Sequence, residues 1–551
     1  MKKRIVALFL VVVMVLSMCA CSNNPADKTT EADKTTQGKD ETEKQTENGQ
    51  TDASTEEAKS KYPLVDEPVR LKGIVAYNAN GGGDSRLIYE KVGDLTGIYI
   101  DWQVVDVQAI PTILASGDWP DVLFCNPSSN QIQDYGVLGG RFVDFMQYLD
   151  LMPNLVQAME DYPAMKLSIQ SNGAMYRLPF VSMLATSVQA RSYVNTDVLA
   201  AAGVKTPTTV DEFEQSLKDL QAYYGTESVY IPRLNHYNNN WSMMLFAAFG
   251  ELTNMMIDTD KDGKLVFSHT SDQMKHYYEF MNKLYEQGLI HKEVATLDTA
   301  TKNALELSGK IAFLDHAGAS IPANDKGEFP VSALAPFTSQ YDSTRVVEGV
   351  TGVSFTNSIF VNSECEYVEE LCQWLDIAYA TEEVVEGSGL LGQSFMHGIE
   401  GENFKLNDDG KTYTFIVPEG YASGSAYTSN AIQWYNFGRA DYLGSRTEDK
   451  PSNSQARQKA FVENVMPYQE SPLDTFVGYA ALPLTEDQQY VIDSYWEEMQ
   501  TYWQKMQVEF ITGVTDIETG WDTYVATLKR MGLDEVMKVY QDAYDAYLAK
   551  K

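Results

Sequence analysis

An α/β fold is what this sequence predicts, and three observations predict it. Between Val69 and Phe124 extended apolar segments alternate with helical ones, and strand, helix, strand, helix, strand in that order builds a parallel sheet. The chain has 551 residues, enough for two domains that each bury a core. Within the stretch Tyr176–Gly225 a strand, a short helix, a proline turn and a long helix follow one another without a break.

The elements follow in order. Val69 to Tyr77 is a strand, the loop Asn78–Asp84 follows it, and a helix begins near Ser85. Gly97 precedes a second strand, Ile98–Val105, and Gly117 ends a helix before the buried strand Asp121–Phe124. Ser187–Asn195 alternates, with Val188, Ala190, Ser192 and Val194 on one face and Gln189, Arg191 and Tyr193 on the other. Asn195 or Thr196 caps the helix that Gly203 stops, and Pro207 forces an extended turn. Thr209 and Glu212 form a capping box for a helix burying Phe213, Leu217 and Leu220.

Asn240-Trp241 leads into an apolar helix, residues 242–249. Asp258–Gly263 has the first half of an EF-hand loop, but His269 stands at the twelfth position where a bidentate Glu belongs. Asp262-Gly263 between two apolar runs suits a hairpin turn, and that reading is adopted, with no metal and no cofactor. Gly309–His316 is a strand ending on Asp315 and His316, and residues 349–362 alternate around Val353, Phe355, Ile359 and Val361. Trp374 falls at core spacing on a helix over Tyr367–Ala380. The tail holds two amphipathic helices broken at Gly532, with Trp521, Tyr524, Val525 and Leu528 on one face.

Bulk properties narrow the function. A net charge of −35 argues against binding nucleic acid or an anionic membrane surface. After the N-terminus no apolar run approaches the roughly 18–20 residues of a membrane span. Met1–Arg4 is basic, Ile5–Leu16 apolar, and Ala20-Cys21 follows, which resembles a bacterial lipoprotein signal with Cys21 as the lipidated residue. Cys19 follows Met18 and fits less well. Residues 22–61 are too polar to bury a core and read as a solvated tether. Cys125, Cys365 and Cys372 read as small buried residues.

Several of these motifs resemble family 1 extracellular solute-binding proteins, the receptors of ABC sugar importers. They are Tyr193-Val194-Asn195 with Asp197, Leu199, Gly203, Pro207, Thr209, Asp211 and Glu212; Ile113–Val122; and Asn172–Pro179. His397–Gly401 and the tail from Phe510 to Tyr544 resemble the large Gram-positive lipoprotein branch. The resemblance covers roughly residues 69–551. It implies a two-lobed type II periplasmic-binding-protein-like fold, with a mixed, mainly parallel sheet in each lobe and a helical C-terminal region. It also implies domain bounds: 1–20 signal peptide, 21–65 tether, 66–192 and 349–460 first lobe, 193–348 and 461–551 second lobe.

The function implied is capture of a carbohydrate, an oligosaccharide by preference, by a monomer held to the membrane through lipid alone, and its delivery to ABC permease subunits. Sugars stack their C–H faces on Trp and Tyr and pair their hydroxyls with amides and charged groups. Asn240, Trp241, Trp434 and Tyr435 supply that chemistry, while Asn78, Asn80, Asp84, Asn126, Arg191 and His316 are placed by topology. No G-x-S-x-G or H-E-x-x-H motif is present. Carboxylates are abundant, so a surface glycoside hydrolase stays open, as does a carbohydrate adhesin or sensor without transport.

Overall fold

The computed structural model describes residues 61–76, 86–182, 192–226, 229–232, 234, 243–252, 255–315, 321–347, 352–421, 424–432, 437–441, 453–468 and 482–549. In chain order its strands are β1 (Val69–Ala76), β2 (Ile98–Val105), β3 (Val122–Cys125), β4 (Leu178–Ser182), β5 (Tyr193–Asn195), β6 (Ile257–Thr259) and β7 (Leu265–Phe267). They continue with β8 (Phe313–Leu314), β9 (Val331–Ala333), β10 (Val353–Val361), β11 (Phe404–Leu406), β12 (Tyr413–Phe415) and β13 (Arg439–Ala440).

The first lobe is organised by a six-stranded sheet in the order β13-β4-β10-β3-β1-β2. β1 runs parallel to β2 and β3, β13 runs parallel to β4, and β10 is antiparallel to both of its neighbours. Every residue of β3 is buried, as a central strand with covered faces requires. The helix Leu87–Thr96 packs on this sheet and ends at Gly97, whose φ of 78° returns its amide to the Gly93 carbonyl. A Cβ there would stand 2.8 Å from the Val65 side chain, so both backbone angle and space call for glycine. Trp374 is fully buried, 5.8 Å from Phe395 and 6.2 Å from Tyr89, a core residue as its spacing predicts.

One buried carboxyl in this lobe makes stability depend on pH. Asp376 is 2% exposed and accepts hydrogen bonds from the Leu155 amide (2.9 Å) and the Asn154 side chain (2.8 Å). Burial pushes its carboxyl up to about 6, although the two bonds pull the other way. The folded value lies above the unfolded one of about 3.9, so this group's contribution is complete below roughly pH 4 and is lost as pH rises toward 6. Asp376→Asn is expected to flatten that part of the profile, so that urea midpoints at pH 4.5 and 7 lie closer together than in the parent. Unchanged spacing of the midpoints would show that Asp376 does not titrate in this range.

The second lobe departs from expectation in one respect. Its sheet, β8-β5-β9, pairs antiparallel on both sides of β5 rather than mainly parallel. The reason is direction: β5 carries the chain into the lobe, and β8 and β9 both run back toward the edge where β5 starts. The parallel bridges in this lobe are the isolated pairs Thr209–Thr338 and Tyr230–Ile290. Asn195 is the cap of the helix that follows, accepting from the amides of Asp197 (3.1 Å) and Val198 (3.2 Å). Thr209 caps the next helix as predicted, yet Glu212 bonds the amide and hydroxyl of Thr208 instead of closing a full box.

The C-terminal helices Glu486–Thr512, Ile517–Arg530 and Leu533–Leu548 pack into the core of the second lobe. Trp521, Tyr524 and Leu528 are buried along the middle one, and Gly532, at φ 100°, separates it from the last. Asn453–Asn464 packs beside β9. β6 and β7 form the predicted hairpin, with Gly263 at φ 77° in its turn and the Asp260 carboxylate accepting from the amides of Asp262 and Lys264. His269, beyond the hairpin, stacks on Trp503 at 4.1 Å and meets the Tyr278 hydroxyl at 2.8 Å. Burial holds its imidazole down at about 3, so it is neutral at physiological pH. Among the described residues Cys125, Cys365 and Cys372 are free thiols, all buried.

Candidate functional site

Sheet directions fix where a ligand can meet this protein. β10 is antiparallel to β3 and β4 alike, so β1, β3, β4 and β13 all point their carboxyl ends at one edge of the first-lobe sheet. From β1 the order steps to β2 on one side and β3 on the other, the kind of switch point at which α/β sheets open a crevice. Asn126 lies directly beyond β3 at that edge and is exposed. Asn78, Asn80, Asp84, Arg191, Asn240, Trp241, His316, Trp434 and Tyr435 lie outside the described residues, as does Cys21.

Their neighbours in sequence are informative. Ser192 and Asp315, next to Arg191 and His316, stand together at the start of β5 and the end of β8. The Ser192 hydroxyl donates to one Asp315 oxygen and the Tyr230 hydroxyl to the other, at 2.5 Å. This buried network pins the edge of the second-lobe sheet. In the first lobe, Arg439 of β13 is clamped by Asp161 (2.6 Å) and Asp441 (2.9 Å), close in sequence to Trp434 and Tyr435.

Between the lobes lies a cavity of about 270 Å³, just below the roughly 300–1,000 Å³ usual for small-molecule sites. Its first-lobe wall is Ser129, Ile132, Gln133, Gln170 and Arg177. The opposite wall comes from the segment Leu482–Leu484, from Gln489, Ile492 and Trp496 on the long helix, and from Tyr540. Each wall is set by local chemistry. Ser128 and Gln131 make a reciprocal capping box that starts the helical segment carrying Ser129, Ile132 and Gln133. Thr485 and Gln488 do the same for the long helix, whose first three turns carry Gln489, Ile492 and Trp496. Asn130 reaches across to Asp493 at 3.2 Å, and Gln489 holds the other Asp493 oxygen at 2.8 Å.

The lining mixes amides with aromatic rings. Trp496 sits edge-on to Tyr540 with ring centres 6.1 Å apart. Arg177 lies over the Phe355 ring at 5.0 Å, and Phe355 belongs to the stretch of β10 where register shifts between Ser354 and Ile359. Burial pulls the Arg177 guanidinium down to about 10. Gln133, Gln170, Arg177, Gln489, Trp496 and Tyr540 are residues that sequence reasoning missed. The one local signal was a charged side chain inside Tyr176-Arg177-Leu178-Pro179, an otherwise apolar strand start.

No protein-family model matches the chain. It is 23% identical over 515 residues to the fructooligosaccharide ABC transporter substrate-binding protein FusA of Streptococcus pneumoniae serotype 4, covering 89% of this chain and 92% of that one. The solved structure of FusA in complex with kestose superposes with a TM-score of 0.66 at 21% identity, covering 88% of this chain and all of FusA. FusA has also been solved as an EF-hand mutant in complex with fructo-nystose. A human-milk-oligosaccharide (HMO) binding solute-binding protein from Bifidobacterium longum infantis gives a TM-score of 0.71 at 18% identity, over 88% of this chain and 99% of its own. Lipoprotein LipO of Bacillus subtilis is 27% identical over 216 residues, 37% of this chain and 41% of LipO. FusA and the Bifidobacterium protein are binding proteins rather than enzymes. The chain's homologues are thus the ABC transporter substrate-binding proteins of Gram-positive bacteria, and it has their two-lobed α/β fold.

Proposed function

We propose that this chain captures an oligosaccharide between its two lobes and delivers it to the permease of an ABC importer, with no catalytic step. The observation that carries the reading is the interlobe cavity, where amides from both lobes face Trp496 and Tyr540. Amides satisfy sugar hydroxyls and aromatic rings take their C–H faces, and closure of one lobe on the other would shut water out. The fructooligosaccharide and milk-oligosaccharide binding of the relatives supports this ligand class. Asn78, Asn80, Asp84, Asn126, Arg191, Asn240, Trp241, His316, Trp434 and Tyr435 belong to the same proposal as further contacts. So do the lobe bounds 66–192 with 349–460 and 193–348 with 461–551, corrected in that the helix Asn453–Asn464, packed beside β9, goes whole with the second lobe, and a monomeric state. A thermal-shift screen of oligosaccharides tests the capture. A ligand at 100 times its Kd stabilises by about 2.7 kcal/mol, and a panel without a single shift would count against it.

Anchoring belongs to the same reading. The Ala20-Cys21 junction supports lipidation of Cys21 at the outer face of the cytoplasmic membrane. Cys21→Ala is expected to move the protein into the medium and Cys19→Ala to leave it with the membrane. Fractionation that finds the Cys21→Ala protein still membrane-bound removes Cys21 from this role.

Calcium is expected to be dispensable here. The position that would close the Asp258 loop is His269, engaged with Trp503 and Tyr278. Treatment with a chelator should leave both Tm and ligand affinity unchanged, and a drop in either would reinstate a metal site.

A further inference from the structure

We infer that the captured sugar carries an anionic substituent, and that Arg177 is the residue that pairs with it. The inference rests on the capture reading above and names the class of sugar. Arg177 lines the cavity, and among the described residues its guanidinium has neither a hydrogen-bond nor an ion-pair partner. Its Nε is sealed from solvent with nothing to donate to, while the ring of Phe355 covers one face at 5.0 Å. The described lining residues include no carboxylate, although the chain has 77 Asp and Glu against 42 Lys and Arg. In so acidic a protein, a cation among described lining residues that include no acid is a local inversion of sign.

The energetics favour a charged partner. An arginine Nε sealed from water with nothing to accept from it is unfavourable, and burial already weakens this half-buried guanidinium's hold on its proton. Phe355 offers only its π face. Neutral hydroxyls can accept from the guanidinium but bring no compensating charge. A carboxylate, sulfate or phosphate does, and the planar fork of arginine matches two of its oxygens at once. Ser129, Gln133 and Gln170 on the same wall can then hold the hydroxyls of the ring bearing the charge.

The test is calorimetric titration of the purified protein with oligosaccharides offered in matched pairs. The pairs are oligogalacturonides against their methyl esters, sialylated chains against desialylated ones, and sulfated or phosphorylated sugars against the unmodified parents. One or more anionic members should bind roughly tenfold to a hundredfold tighter than the neutral partner, the range of a charge-assisted hydrogen bond. The arm that responds identifies the substituent. Arg177→Met should remove that preference while leaving the Tm of the unliganded protein equal or higher, since an unpaired charge is lost. Arg177→Lys, which keeps the charge and loses the fork, should retain part of the preference. Neutral sugars binding as well as their anionic partners would overturn the anion inference and leave sugar capture standing. An anion preference that persists in Arg177→Met would overturn the assignment of Arg177. Absence of binding by every member, charged or neutral, would overturn both.

Discussion

Trp503→Ala is expected to cost about 3–5 kcal/mol of stability, the range for truncating a large buried aromatic. The ring is 2% exposed and lies against the His269 imidazole at 4.1 Å, with the Phe267 ring at 6.5 Å. It fixes the middle of the long helix Glu486–Thr512 to the body of the second lobe. Its loss opens a void beside His269, whose value of about 3 reflects burial alone. Water entering there should let His269 take up a proton nearer the usual 6.5, so the variant should lose less stability than the parent between pH 7 and 5 and the gap between them should narrow as pH falls. Chemical unfolding at two pH values measures both effects. A stability loss below about 1 kcal/mol would mean that the site collapses around the deletion.

Trp496→Ala separates binding from folding. The side chain is half-buried at the cavity and edge-on to Tyr540. Its removal should weaken oligosaccharide binding by about 2 kcal/mol, roughly thirtyfold, as at an interface hot spot. The fold should lose less than with Trp503. Trp434, outside the described residues, is the competing platform, and Trp434→Ala should be measured beside it. Strong loss of affinity in Trp434→Ala with none in Trp496→Ala would move the stacking surface to Trp434. A large stability loss in Trp434→Ala, with affinity intact in what remains folded, would make Trp434 a structural anchor.

Much of the fold was legible because it is written locally. The buried run of β3, the caps Asn195 and Thr209, the hairpin turn at Asp262-Gly263 and the break at Gly532 each need only a few adjacent residues to be recognised. Pairing direction in the second lobe was not, since β5, β8 and β9 are only two or three residues long and carry no pattern that distinguishes parallel from antiparallel partners. Glu212 shows a finer limit: spacing predicts that it folds back on the helix start, but two donors on Thr208 outbid one on Thr209. The cavity was hardest to foresee. Asn130 and Asp493, which meet beside it, are 363 residues apart, and Trp496 lies on a helix whose period describes burial without saying against what.

The long helix has a consequence for selectivity. At 27 residues it runs about 40 Å. Its opening turns face the cavity, and Trp503, Phe510 and Ile511 further along are locked in the core of the second lobe. One side of the binding space is therefore a stiff template rather than an adjustable loop. Such a surface does not reshape itself around each guest; it favours those whose contour already matches and forfeits little disorder in holding them. Variation among descendants of this protein that alters ligand preference should accordingly accumulate in the side chains of Gln489, Ile492 and Trp496, with the helix path itself left in place.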